Sequence, residues 1–431
     1  MGAVSVPGMA DKLGDEGGPR GEVAAVGEWL MDPGFLVHAD PERVPALLEA
    51  ASGPAARLGA AVYGASAQLH RAAGPGVRRQ LLALDAARCG DRELSARISA
   101  IPVADVAAAR WGVEWATGNQ VGVRGGQVVT GHYAEVRAVT TAVVNGRPVA
   151  VTGSEDSTVR MWDLGTGRQV GEPLWGHTDG VRAVATAVVD GRPVAVSGSG
   201  DGTVRVWDLP TGQRVGGPLT GYDGAVLAVA TAVVDGRPVA VSGGVGGTLR
   251  VWDLATRQQM GEPLTGRAGW IQAVATAVVD GRAVAVTGSG VRRGAVRMWD
   301  LATGQQVGKF LTGHAGPVCA VATAVVDGRP VAVTGSEDST VRVWDLATRK
   351  QVGEPVTGHA DPVLAVATAV VDGRLLVVTG SRDSTVRMWD PATGGQVGPE
   401  LVVPGVCAVA PAHGDRLLVG FGEEVAVLVQ R

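Results

Sequence analysis

VRAVATAVVDGRPVAVSGSGDGTVRVWDLPTGQRVGGPLT, residues 181–220, decides the fold. VRAVATAVV alternates and then meets Asp190-Gly191. That dipeptide favours a two-residue hairpin turn, which needs positive φ at both positions. RPVAVSGS reads as a second strand, and Asp201-Gly202 as another turn. TVRVWDL is a third strand rich in β-branched residues. Thr211-Gly212 then leads into QRVGGPLT, a fourth. The stretch predicts four short antiparallel strands.

The unit recurs. ATAVVDGRPVAV stands intact at residues 185–196, 230–241 and 322–333. Trp-Asp falls at Trp162, Trp207, Trp252, Trp299, Trp344 and Trp389, in steps of 45, 45, 47, 45 and 45 residues. One such sheet cannot bury both faces alone, so the units must stack. A period of about 40–45 residues, opening near Gly-His and ending near Trp-Asp, resembles the WD-repeat β-propeller family. The resemblance runs from His132 to the C-terminus and implies a mainly β, seven-bladed β-propeller. Six units carry Trp-Asp. After Pro404, VCAVAP, RLLVGFG and VAVLVQ supply three strands of a seventh. NQVGVRGGQVVT, at about residues 119–130, matches the fourth-strand position and is expected to close the ring. Closure would leave no exposed sheet edge.

The resemblance also implies a buried hydrogen-bonded tetrad in each regular blade. Its members are His132, Thr152, Asp156 and Trp162 in blade one, and His177, Ser197, Asp201 and Trp207 in blade two. Blade five offers His314, Thr334, Asp338 and Trp344, and blade six His359, Thr379, Asp383 and Trp389. A catalytic site would be singular, whereas these sets repeat, so their reading is structural. Blade three departs, with Tyr222 for the His and Gly246 at the turn Asp. Blade four has Arg267 for the His and a turn longer by two residues without the Asp. Blade seven has neither Gly-His nor Trp-Asp.

Positions that differ between near-identical blades are free of the shared requirements of the fold. One group flanks the first valine of the first strand and, by resemblance, faces the narrow top opening: Glu135, Arg137, Arg182, Leu227, Trp270, Gln272, Cys319, Leu364 and Cys407. The turn positions add Glu155, Glu337, Arg382, Arg292 and Arg293. Trp270, near Leu227 and an arginine pair, has the composition of a binding hot spot. On the opposite face each first hairpin ends in Arg, from Arg147 to Arg416, behind an acidic or amide turn residue. Alternating charges of this kind read as a solvated face, not a phosphate platform.

Residues 1–21 are rich in Gly, Asp and Pro and are expected to be disordered. Residues 22–105 read as a helical region, with segments divided by Pro and Gly, ahead of a propeller at 106–431. The run from FLVHADPERVPALLEAA to DRELSARI resembles the helical segment before the propeller in bacterial STAND-type NTPases. Gly-x-x-x-x-Gly-Lys-Ser/Thr does not occur. Its nearest imitation, GQQVGK within residues 302–314, has three residues between the glycines and Phe310 after Lys309. It lacks the geometry of a phosphate loop and reads as a fourth strand.

Net charge is −4, so no global field draws nucleic acid or anionic membrane. Three scattered cysteines form no Cys-x-x-Cys pair, which fits a reducing, cytoplasmic setting. No apolar run reaches the roughly 18 residues of a membrane span. Metal-ligand spacing such as His-Glu-x-x-His is missing, so no metal or cofactor is expected. Without a singular acid, base or nucleophile cluster, an enzyme is not expected either. The expectation is a scaffold or sensor whose top face around blades three and four takes a protein or peptide, with the helices docking a second partner. A structural assembly or oligomerisation unit is the alternative.

Overall fold

The turn between the first two strands is the element that repeats most faithfully. Asp190 and Gly191 take φ of 48° and 75°, and Val189 pairs directly with Arg192. Positive φ at both central residues is the type I′ hairpin, whose twist matches that of the strands it joins. Asn145-Gly146, Asp235-Gly236, Asp280-Gly281, Asp327-Gly328 and Asp372-Gly373 take the same conformation. In this computed structural model the described residues are 28–103 except 31, 43, 50 and 52, then 111–118, 131–265, 269–290 and 294–430. They fall into two compact units, divided after Val103.

The larger unit is a seven-bladed β-propeller. In blade two, Val181–Val189 pairs with Arg192–Ser199, which pairs with Val204–Asp208 and then Gln213–Arg214. Beyond Arg214 the fourth strand narrows to the bridge Leu219–Val204. Blades one and four hold their fourth strands by two bridges only, whereas Gln258–Thr265 in blade three and Lys350–Val356 in blade five are continuous. The innermost strands neighbour one another all the way round, and Val406–Ala412 meets Val136–Val144.

Closure uses a strand that lies ahead of blade one. The strand beside Glu424–Gln430 is Trp111–Ala116, with Trp111 opposite Gln430 and Trp115 opposite Val427. The expected closing strand at about 119–130 lies outside the described residues. Trp115 explains the choice. It is buried among Val136, Trp162, Leu418 and Val427, and its indole N–H donates to the Leu164 carbonyl of blade one at 2.9 Å. The closing strand thereby ties the last blade to the first.

Blades nest through glycine on the second strand. A Cβ on Gly198 would come within 2.6 Å of Val226 Cγ1 in the next blade, and one on Gly153 within 2.5 Å of Val181 Cγ1. The inter-blade cores are valine, alanine and leucine, with one Trp filling each larger gap. A second tie runs round the inner strands. Thr186 Oγ1 donates to the Thr141 carbonyl at 2.9 Å, Thr231 to Thr186 at 2.8 Å, Thr276 to Thr231 and Thr323 to Thr276 at 2.7 Å, and Thr368 to Thr323 at 3.1 Å. Thr141 reaches the Pro411 carbonyl at 3.4 Å. Pro411 has no hydroxyl with which to continue the series.

The smaller unit contains the helices Pro33–His38, Val44–Glu49, Pro54–Ala65, Ala67–His70, Pro75–Arg88 and Arg92–Ser99. Pro is the first residue of three of them, a position with no N–H to satisfy. Asp32 and Asp91 cap their helices by accepting from Gly34 N and Leu94 N at 2.9 and 2.8 Å. Leu36, Val62, Leu82, Leu94 and Ile98 form the core. Among the described residues no helix is long and apolar enough to cross a membrane.

Candidate functional site

The upper end of the propeller is the end that carries the inter-blade loops and the second turn of each blade. In blade one, Trp162 Nε1 donates to Thr152 Oγ1 at 2.9 Å. Thr152 Oγ1 lies 2.7 Å from His132 Nε2, and His132 Nδ1 lies 2.7 Å from Asp156 Oδ2. The proton order that satisfies every atom runs one way: indole to hydroxyl, hydroxyl to imidazole, imidazole to carboxylate. Blade two repeats it with His177 at 2.7 Å from Ser197 and 2.9 Å from Asp201, and Trp207 at 2.8 Å from Ser197. In blade five His314 lies 2.8 Å from Thr334 and 3.0 Å from Asp338, with Trp344 at 2.9 Å from Thr334. In blade six His359 lies 2.7 Å from Thr379 and 2.8 Å from Asp383, with Trp389 at 2.8 Å from Thr379.

The sequence matches the WD domain, G-beta repeat family over residues 125–163, 167–208, 304–345 and 350–390. The chain carries WD40 repeats. The four matched WD40 repeats end in the third strands of blades one, two, five and six, the blades with complete tetrads. Comparison with curated proteins gives no match.

A fifth member of each tetrad escapes a reading based on the four. Thr158 donates to Asp156 Oδ1 at 2.6 Å, and Thr203, Thr340 and Thr385 donate to their aspartates at 2.7 Å. Burial alone would raise these carboxyls. The hydrogen bonds from His and Thr override it, holding Asp156, Asp201 and Asp383 at about 2 and Asp338 well below its ordinary range. Burial also lowers His132, His177 and His359, which keeps their rings neutral. The Asp of Trp-Asp has a separate duty. Asp208 Oδ1 accepts from Thr211 N and Oγ1 at 3.0 and 2.9 Å, which fixes the next turn.

Blade three replaces imidazole with phenol. Tyr222 Oη lies 2.7 Å from Ser242 Oγ, which also accepts from Trp252 Nε1 at 2.7 Å. Arg250 stacks over the Tyr222 ring at 5.3 Å. Blade four leaves the position unfilled by an imidazole. Trp299 Nε1 reaches Thr287 Oγ1 at 3.3 Å, and a small cavity opens beside them, lined by Gly247, Trp270, Ile271, Thr287, Arg297 and Trp299. Trp270 stands at this cavity, 53 % exposed. Gln272 is close by, since a Cβ on Gly290 would meet both Gln272 Oε1 and Trp270 Cβ. Leu227 is half-buried on blade three. Arg267, Arg292 and Arg293 lie outside the described residues.

The charged candidates are brought together elsewhere, and they engage one another. Arg137 bonds Glu135 at 2.8 Å and Glu155 at 2.7 Å, and Arg182 of blade two bonds the same Glu155 at 2.5 Å. Cys407 Sγ of blade seven donates to Glu135 Oε1 at 2.6 Å. Blades seven, one and two therefore present a neutralised network. Arg382 is exposed, and Leu364 is half-buried on the same blade. Burial pushes the Cys319 thiol up to about 11 and the Cys407 thiol up to about 12, so neither is poised as a nucleophile. Among the described residues no His, Cys, Asp and Glu cluster of three or more could hold a metal ion.

Three exposed aromatics, Tyr133, Trp175 and Phe310, were not picked out from sequence. Trp175 is 56 % exposed where blades two to five have Thr220, Thr265, Thr312 and Thr357. Phe310 lies under the Arg297 guanidinium at 5.1 Å, where sister strands carry Pro. Each differs from its sisters, and that difference was the available signal.

Proposed function

We propose that this WD40 propeller is a non-catalytic scaffold or sensor that takes a protein or peptide on its upper face at blades three and four, with the helical unit docking a second partner. The cavity beside Thr287 carries the reading. It lies beside Thr287 and Trp299, the blade-four counterparts of the tetrad hydroxyl and indole, and exposed Trp270 stands at it. The cavity itself has room for little more than a water, so the exposed indole of Trp270 is the contact offered, an aromatic of the kind that anchors protein interfaces. The acids and bases of blades seven, one and two are already paired, which leaves Trp270, Gln272 and Leu227 as the adaptable part of the face. The resemblance of the helices to the segment before STAND propellers supports a connecting role for them.

The test is selection of peptides from a displayed library on the full chain, followed by titration of the selected peptides. Trp270→Ala with Leu227→Ser is expected to weaken binding by about tenfold or more, the effect of losing a hot-spot aromatic. Undiminished binding would sink the site.

A further inference from the structure

The lower end of the propeller carries a feature that its charge pattern hides. Val143, Val188, Val233, Val278, Val325 and Val370 occupy one register, the second-last residue of each innermost strand. All six are 57–65 % exposed. Each lies two residues beyond a threonine of the inter-blade series, hence on the same side of its strand. The threonine hydroxyls hold neighbouring strands one hydrogen bond apart, at 2.7–3.1 Å between blades one and six. The valines therefore form a continuous arc around the lower mouth, with His413 at the same register in blade seven. Beyond each valine comes the hairpin tip. There Asp190, Asp235, Asp280, Asp327 and Asp372 are exposed, as are Arg192, Arg237, Arg282, Arg329 and Arg374.

We propose that this face pairs with the same face of a second copy of the chain. An apolar arc inside a polar rim has the anatomy of a protein interface. The rim selects the partner. Acid and base alternate from tip to tip, so a surface of either single sign would meet repulsion at every blade. That disfavours a nucleic acid or an anionic membrane. Another alternating ring is its complement, because a two-fold axis sets Asp of one copy against Arg of the other and the reverse. The valines gain what the fold denies them, since each blade could have placed a polar residue at this exposed register.

The test is sedimentation of the full chain from low micromolar to hundred-micromolar concentration. Mass is expected to rise from one chain to two. Val188→Asp with Val278→Asp is expected to weaken association by about a hundredfold, because carboxylates would be buried without partners. Trp270→Ala, on the other face, should leave it unchanged. Hydrogen exchange on the native chain gives a readout free of mutation: backbone protection of residues 188–192 should rise with concentration. A single-chain mass at every concentration overturns the proposal. So does a dimer that Trp270→Ala abolishes and the aspartates do not.

Discussion

The hydroxyl of Thr276 donates to the backbone carbonyl of Thr231 at 2.7 Å, across the boundary between blades three and four. The bond joins two sheets that share no ladder. Thr276→Val keeps the shape and removes the donor. It is expected to lower stability by about 1 kcal/mol, the net worth of one such bond. Urea unfolding of the variant beside the parent measures it, and coincident curves would show the series to be incidental.

Asp201 accepts from His177, from Thr203 and from the Thr178 amide. Asp201→Ala strands these donors, and the Thr203 amide with them, at a largely buried turn. The expected loss is about 2–3 kcal/mol. Blade three is built without this carboxylate, so unfolding should remain a single transition with a lower midpoint.

Trp115→Ala should cost about 3–5 kcal/mol through the cavity it leaves at the closure between blades seven and one. Thermal unfolding followed by tryptophan fluorescence reads it. A loss under 1 kcal/mol would place the closing contact elsewhere.

Acid should loosen the helical unit before the propeller carboxylates titrate. His70 is fully buried against Tyr63, and its Nε2 lies 3.1 Å from Ser66 Oγ, which donates to Asp85 at 2.5 Å. Burial, helped by the Arg78 charge, lowers His70 to about 4. The unfolded chain binds this proton at about 6.5 and the folded chain only near 4, so stability is full above pH 6.5 and falls as pH drops towards 4. The His70 contribution is about 3 kcal/mol, offset in part by Asp85, whose carboxyl burial pushes up. Hydrogen exchange of Pro54–Ala65 and Pro75–Arg88, corrected for intrinsic rate, should show protection falling across that window. His70→Gln should flatten the fall. The tetrad carboxylates act later: their stabilisation persists above about pH 4 and is lost as pH falls through 2.

Repetition governed how much the sequence disclosed. Asp-Gly hairpins and Trp-Asp strands are local and recur in phase, so the blades and their number were legible. The strand Trp111–Ala116 was not, because Trp115 matches no sister strand and acts through a carbonyl 49 residues away. Subtracting shared positions picked out Trp270, and it also picked out Glu135, Arg137 and Arg182. Their mutual pairing through Glu155 depends on how two blades converge, which spacing along the chain does not encode. The same subtraction discarded the inner threonines and exposed valines for being identical. Those residues act between blades, where identity is the requirement.

Every threonine of the inner series points its hydroxyl backwards, to the blade before it, and Pro411 cannot answer Thr368. Mechanically, the propeller is a clasp whose pin is absent at the boundary between blades six and seven. A load that spreads the ring should part it there first, leaving blade seven joined to blade one by the closing strand. The chain's last strands would then come away as a unit with the segment that precedes blade one.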